Sequence, residues 1–318
     1  MALPPEQIVC ATDLSAAGGA AVRRAALAAA RYDARLAVVH VVPSSLWDDA
    51  GQWLADLAGV GSVDPEQARA DALRRLARAV EADAAEAKRG CTVDVRYGRP
   101  APQIAAAARE LGADLLVVGA HGEHPVRDLV MGSTAQKLLR IAPCPLLVVK
   151  RPPPFEYRTV LLPTDFSAPA VRAAEAARAL LPDALFHFVH AFELPYDGLM
   201  RYAGVDEATV QTYRAAAQGA LAARLAEIAA AFGAPAGRAT ANVRHGYAPA
   251  RIDEWIVELA VDLLAIAAHG KSELQTAFLG SVSAHVVQTA PCDVLLVRGD
   301  SAAHDRAPED AGAAARHA

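Results

Sequence analysis

The sequence predicts an α/β protein built as two tandem, doubly wound, five-stranded parallel sheets. Three features predict it: the length, an internal repeat of domain size, and short continuous apolar strands alternating with alanine-rich helices. With 318 residues the chain suits two units of about 150 residues each. The expected units are a first domain over 1–151, a second over 155–300 and a disordered tail over 301–318, which is rich in alanine and charge without an apolar period.

The repeat emerges when residue n is set beside residue n+148. Arg96-Tyr97-Gly98 then meets Arg244-His245-Gly246, Asp114-Leu115-Leu116 meets Asp262-Leu263-Leu264, and Ala142-Pro143-Cys144 meets Ala290-Pro291-Cys292. Nearer the front the register drifts, with Thr12-Asp13 opposite Thr164-Asp165 and His40 opposite His190, as small loop insertions or deletions require. A period this long marks two copies of a folding unit, not a solenoid. Arg151-Pro152-Pro153-Pro154 between the copies is a stiff spacer, unable to continue a sheet or enter a helix interior.

In the first copy, Ile8–Ala11 is the first strand and Ala16–Tyr32 an alanine-rich helix; Leu36–Val42 is the second strand. After a loop holding Trp47 and Trp53, Pro65–Arg89 reads as one long helix, because Ala68, Ala72, Leu76 and Ala79 recur at spacings of three and four. Val93–Tyr97 is strand three. Gln103–Leu111 is helical and ends at Gly112, a residue suited to the left-handed backbone after a helix. Leu115–Val118 is strand four, Ser133–Ile141 a helix stopped by Pro143 and Pro145, and Leu146–Val149 strand five. Apolar runs without alternation mean that both sheet faces are covered, which calls for parallel strands. Ligands of such sheets sit beyond the carboxyl ends of the strands where strand order reverses, here after strands one and four.

Composition excludes several classes. At 53% hydrophobic and 21% charged the chain is globular, and 5% aromatic content with excess alanine disfavours a β-sandwich. A net charge of −5 leaves no positive field for nucleic acid or anionic lipid. Cys10, Cys91, Cys144 and Cys292 form no C-x-x-C pair and fit reduced core thiols of a cytoplasmic protein. Met1–Gln7 carries no signal peptide, and apolar runs such as Leu115–Val118 and Val294–Val297 are far shorter than the roughly 20 residues of a membrane helix. No H-x-x-x-H or carboxylate cluster points to a metal.

After strand four the chain reads Gly119-Ala120-His121-Gly122, then nine residues, then Gly132-Ser133-Thr134 at a helix start. This suits a phosphate. Glycines admit close backbone approach, the hydroxyls donate, and the helix amino end favours an anion by up to about 2 kcal/mol. Asp13, after strand one, can accept hydrogen bonds from ribose hydroxyls, and Val41, at the end of strand two, can offer backbone groups to adenine. The plain alternative for Asp13-x-Ser15 and Asp165-x-Ser167 is helix capping. His40 and His190 lie within apolar strands and read as buried histidines with satisfied hydrogen bonds, while Arg96, Arg99, Arg244 and Arg251 read as solvated surface groups. A P-loop is absent, because Gly270-Lys271-Ser272 lacks the glycine five residues earlier.

The run from Val117-Val118-Gly119-Ala120-His121-Gly122 through Gly132-Ser133-Thr134 to Ala142-Pro143-Cys144-Pro145 resembles the universal stress protein family, whose signature is G-x-x-G, nine residues, G-[S/T]. The resemblance covers residues 5–299 in two copies. It implies a Rossmann-like fold of the adenine nucleotide alpha hydrolase-like (HUP) type, and ATP binding in copies with the full signature. Carried over by position, Gly119, Gly122, Gly132, Ser133 and Thr134 hold phosphates, Asp13 the ribose and Val41 the adenine, with Mg2+ an optional companion of ATP. The second copy keeps Asp165, Gly270, Gly280 and Ser281 but has Ala267, Ala191 and Val282 at the first-glycine, adenine and threonine positions. The resemblance also implies pairing of the copies through their last strands as an intrachain pseudo-dimer; association into a homodimer and the protein client are left open.

The function expected is therefore a stress-response regulator that binds ATP and hydrolyses it slowly at most. Two readings of other classes stand beside it: an adaptor that presents a surface without nucleotide, and a phosphohydrolase using His121.

Overall fold

A computed structural model describes residues 3–43, 65–121, 131–153, 156–194, 202–269 and 279–298. The first copy comprises β1 (Gln7–Ala11), α1 (Ala16–Tyr32), β2 (Arg35–Val42), α2 (Pro65–Asp83), β3 (Cys91–Tyr97), α3 (Pro100–Glu110), β4 (Leu115–Gly119), α4 (Ser133–Ile141) and β5 (Leu146–Val149). The second comprises β6 (Thr159–Pro163), α5 (Ala168–Leu180), β7 (Leu185–Phe192), α6 (Glu207–Ala231), β8 (Ala239–His245), α7 (Ala248–Glu258), β9 (Leu263–Ala267), α8 (Ser281–Thr289) and β10 (Asp293–Val297). Among the described residues no helix is long and apolar enough to cross a membrane.

The strands form one ten-stranded sheet in the order β3-β2-β1-β4-β5-β10-β9-β6-β7-β8. Within each copy every pairing is parallel; the copies join through β5 and β10, antiparallel, with Leu147 opposite Leu295. Each last strand thereby covers the other's open edge. One face of the sheet packs against α1, α2, α5 and α6, the other against α3, α4, α7 and α8, and each core layer runs through both copies. The conserved look of Asp114 and Asp262 across the repeat has a structural cause. Asp114 Oδ2 accepts the amides of Glu6 and Gln7 at 3.0 Å, and Asp262 Oδ2 those of Arg158 and Thr159 at 2.9 and 3.1 Å, so each ties the start of the first strand to the start of the fourth.

Boundaries differ from expectation where a turn continues a helical period. The long helix ends at Asp83, held by Arg23 of α1 at 2.5 Å, and not at Arg89. Residues 84–90 form turns, and Gly90, with φ +75°, leads the chain into β3. Helix α3 starts three residues before Gln103 because Pro100 occupies its first position, where a missing N–H costs nothing. Gly112 has φ +62°, the left-handed conformation expected after a helix.

The junction carries a buried polar network. Asp293, fully buried at the start of β10, accepts the amides of Lys150 (2.7 Å) and Arg151 (2.9 Å) and the Tyr157 hydroxyl (2.5 Å). Burial pushes its carboxyl up from the ordinary value, and those donors pull the other way. Two cations then cross between copies. Lys150, just after β5, donates to the carbonyls of Val287 (2.7 Å) and Ala290 (2.6 Å) at the end of α8. Arg298, just after β10, donates to the Arg140 carbonyl at the end of α4. Each copy thus seals the carboxyl end of a helix in the other.

Candidate functional site

The chain leaves β1 through a turn that shapes Asp13. The Thr12 amide donates to Val39 O (3.0 Å), Thr12 Oγ1 accepts the Leu14 amide (3.1 Å), and Asp13 Oδ1 accepts the Ser15 amide (3.0 Å) and hydroxyl (2.5 Å). Ser15 caps α1 by accepting the Gly18 amide at 3.1 Å. The cap therefore belongs to serine, and Asp13 holds the serine. Leu14 sits at φ +68° and its counterpart Phe166 at φ +65°, a left-handed conformation that bulky residues adopt only when their surroundings force it. The second copy repeats the turn, with Asp165 Oδ1 accepting the Ser167 amide at 3.0 Å and Ser167 capping α5.

Gly18 is a site residue that the sequence reading missed. A Cβ there would lie 2.5 Å from Thr12 Oγ1 and 2.7 Å from Asp13 Oδ1, so the turn folds over the helix only because that atom is missing. The available signal was Gly18-Gly19 inside an alanine-rich helix, where each glycine costs about 1 kcal/mol against alanine and so needs a packing reason.

Gly119 has a neighbour other than the one expected. A Cβ on it would meet the Ala17 carbonyl, 3.0 Å from the oxygen and 3.1 Å from the carbon, so its bareness serves the approach of α1 to the end of β4. In the second copy Ala267 takes the place of Gly119; it lines the crevice there and packs in the same core layer as Val160 and Val297. Gly132 donates its amide to Ala120 O at 2.8 Å, setting the start of α4 against the loop after β4. Helix α4 has no side-chain cap, which leaves its first-turn amides directed at whatever lies before Ser133 and Thr134. Asp13, Val41, Gly119, Gly132, Ser133 and Thr134 thus gather at the carboxyl ends of β1, β2 and β4, on either side of the reversal in strand order. Gly122 lies outside the described residues, as do Trp47, Trp53 and Gly270.

The second copy holds a crevice of about 280 Å3 between the ends of β6, β7 and β9 and the start of α8. Asp165, Ala191, Gly280 and Ser281 all line it, together with His269 and with Trp255, which the sequence reading did not place there. The Gly280 amide donates to Ala268 O at 2.9 Å, and α8 likewise starts without a side-chain cap. A Cβ on Gly280 would find its nearest atom at 3.5 Å, an ordinary contact, so packing does not demand glycine here.

The remaining candidates have structural roles. His40 Nδ1 and His190 Nδ1 are bonded to the Thr12 and Thr164 carbonyls at 2.9 and 2.7 Å, and both rings are half-buried rather than buried. Arg96 is tied to Asp94 and Glu110, Arg244 to Glu258, and Arg251 to Glu254, so three of the four arginines are paired on the surface. The four cysteines are free; burial pushes the thiols of Cys144 and Cys292 up to about 12 and that of Cys91 up to about 11, which keeps them protonated.

With this geometry in place, known proteins can be set beside it. The model of the universal stress protein family matches residues 5–150 and again 156–298. A universal stress protein of Mycolicibacterium smegmatis is 27% identical over 304 residues, covering 92% of this chain and 96% of its own. Universal stress protein A homolog 1 of Coxiella burnetii is 31% identical over 145 residues, which are 45% of this chain and 95% of its own. The crystal structure of a universal stress protein from Archaeoglobus fulgidus shares the fold at a TM-score of 0.61 and 17% identity, with 92% of this chain and 98% of that one covered. Matched once by each copy, the chain belongs to the universal stress protein family.

Proposed function

We propose that this protein is a cytoplasmic stress-response regulator whose first copy binds ATP, accompanied by Mg2+ where the cation is present, and hydrolyses it slowly at most. The observation that carries the reading is the uncapped start of α4 at Gly132-Ser133-Thr134, facing the reversal in strand order with Asp13 fixed beside it. First-turn amides, two hydroxyls and the helix dipole supply the donors that a polyphosphate needs, without lysine or arginine. Asp13 Oδ1 is engaged by Ser15, and Oδ2 has no partner among the described residues, leaving an oxygen for a ribose hydroxyl. ATP would then act by changing the surface around the start of α4 that a partner protein meets.

Equilibrium dialysis with ATP tests this, comparing the parent chain with a Gly122→Ala/Gly132→Ala variant. Gly132 has φ −59°, which alanine adopts freely, so at that position the substitution does not strain the backbone. The expected result is at least about tenfold weaker binding, close to 1.4 kcal/mol. Equal binding by the two proteins would refute the assignment.

A further inference from the structure

Beyond Ala267 and Ala191, three further differences from the first copy mark the second crevice. Position 255 is tryptophan where the first copy has Ala107, so an indole stands in the α7 layer behind the crevice. Position 282 is valine where the first copy has Thr134, removing a hydroxyl from the start of α8. Position 283 is serine where the first copy has Ala135, but its hydroxyl is spent on the Ala267 carbonyl at 2.8 Å.

Among the described residues, two nitrogens of this crevice stand without partners. Trp255 is 1% exposed, lines the crevice, and its indole N–H has no acceptor. His269 lines the same crevice, and its Nε2 is buried with no partner. Buried polar atoms are nearly always satisfied, and two orphans beside one cavity mark where an acceptor and a further polar atom of a ligand belong. The Arg244 guanidinium lies over the indole, 5.0 Å from the ring centre, and is held in turn by Glu258.

The charge capacity is small. Among the described residues no lysine or arginine lines the crevice, Asp165 adds a carboxylate, and the anion donors are the Ser281 hydroxyl and the first amides of α8. With Val282 in place of Thr134 and the Ser283 hydroxyl spent on Ala267, the start of α8 brings one hydroxyl fewer than the start of α4, a donor set suited to one phosphate rather than three. Val189, Ile252, Ile266 and Trp255 make an apolar wall suited to a flat ring, and about 280 Å3 lies at the small end of ligand cavities.

We propose that the second crevice is a site selective for a nucleoside or nucleoside monophosphate over a triphosphate, with Trp255 its specificity-determining residue. The indole N–H donates to a ring nitrogen or carbonyl of the base, and His269 completes the polar contacts. The proposal rests on reading these crevices as nucleotide sites.

The chain has three tryptophans, so Trp47→Phe/Trp53→Phe leaves Trp255 as the sole indole and a direct reporter. Adenosine, AMP and ATP are titrated in turn against its fluorescence. AMP or adenosine is expected to give a saturable change, with ATP at least about tenfold weaker at this site. An ATP response as tight as that of AMP overturns the selectivity, and a folded protein whose indole answers none of the three overturns the site. Trp255→Phe, which removes the N–H and keeps most of the ring, is expected to weaken one class of dialysed AMP about tenfold while leaving ATP stoichiometry unchanged. Undiminished AMP binding rejects the role of the indole. Loss of ATP binding in the first copy leaves the Trp255 signal intact, so failure of the two readings is told apart.

Discussion

Gly119→Ala separates two roles for the first glycine of the signature. The added methyl would sit 3.0 Å from the Ala17 oxygen and 3.1 Å from its carbon, against ordinary contacts from 3.4 Å. Because both atoms are backbone in the first turn of α1, a few tenths of an ångström must come from the helix or from β4. Overpacking of this kind costs about 1–3 kcal/mol. The smaller entropy of the unfolded alanine chain returns about 0.4–1 kcal/mol. The expected net loss is therefore about 1–2 kcal/mol, visible without nucleotide as a lower urea midpoint followed by far-ultraviolet circular dichroism. The matched change in the second copy, Ala267→Gly, deletes a buried methyl and is expected to cost about 1 kcal/mol for the opposite steric reason. Gly119→Ala at the parent midpoint with much weaker ATP binding would show that the methyl enters the crevice, and the packing argument would fall.

Three further outcomes follow from named contacts. Lys150→Met leaves the Val287 and Ala290 carbonyls without their donor and should lower stability by about 1–3 kcal/mol in urea unfolding at neutral pH. Burial lowers the Lys150 pKa from its usual 10.5 to about 8; between those values the folded chain has released a proton that the unfolded chain retains, so this group's contribution to stability rises with pH through that window. Unfolding at pH 7.5 and 9.5 should show that rise in the parent and a flatter profile in Lys150→Met. Ser15→Ala removes the α1 cap and the group that fixes Asp13, with an expected loss of about 1 kcal/mol in unfolding and weaker ATP binding in dialysis. A thiol reagent should modify Cys91 slowly and leave Cys10, Cys144 and Cys292 unmodified until the protein is unfolded, since those three are buried.

Much of the fold was legible because its signals are local. The bounds of α1 and α4 follow from Ser15 and from the prolines after Ile141, and β5 from a four-residue apolar run. The end of α2 was not legible: Ala84 and Ala87 continue the apolar period and pack on the core from turns, and periodicity cannot tell a turn from a helix there. At the site, residue types were readable but directions were not. A glycine announces that a Cβ is unwelcome without saying whether a ligand or Ala17 is the neighbour. Trp255 was visible only by comparison with Ala107 across the repeat, and the bond from Lys150 to Ala290 spans 140 positions and leaves no local trace.

The shared edge and the crossed seals give the duplication a thermodynamic meaning. Neither copy can melt while its twin stands, because its loss would bare an edge strand and uncover the end of a helix in the survivor. The two halves therefore draw on one pooled stability and should unfold in a single endotherm. Under that arrangement the second copy is free to diverge at positions 267 and 282 so long as its strands remain sound.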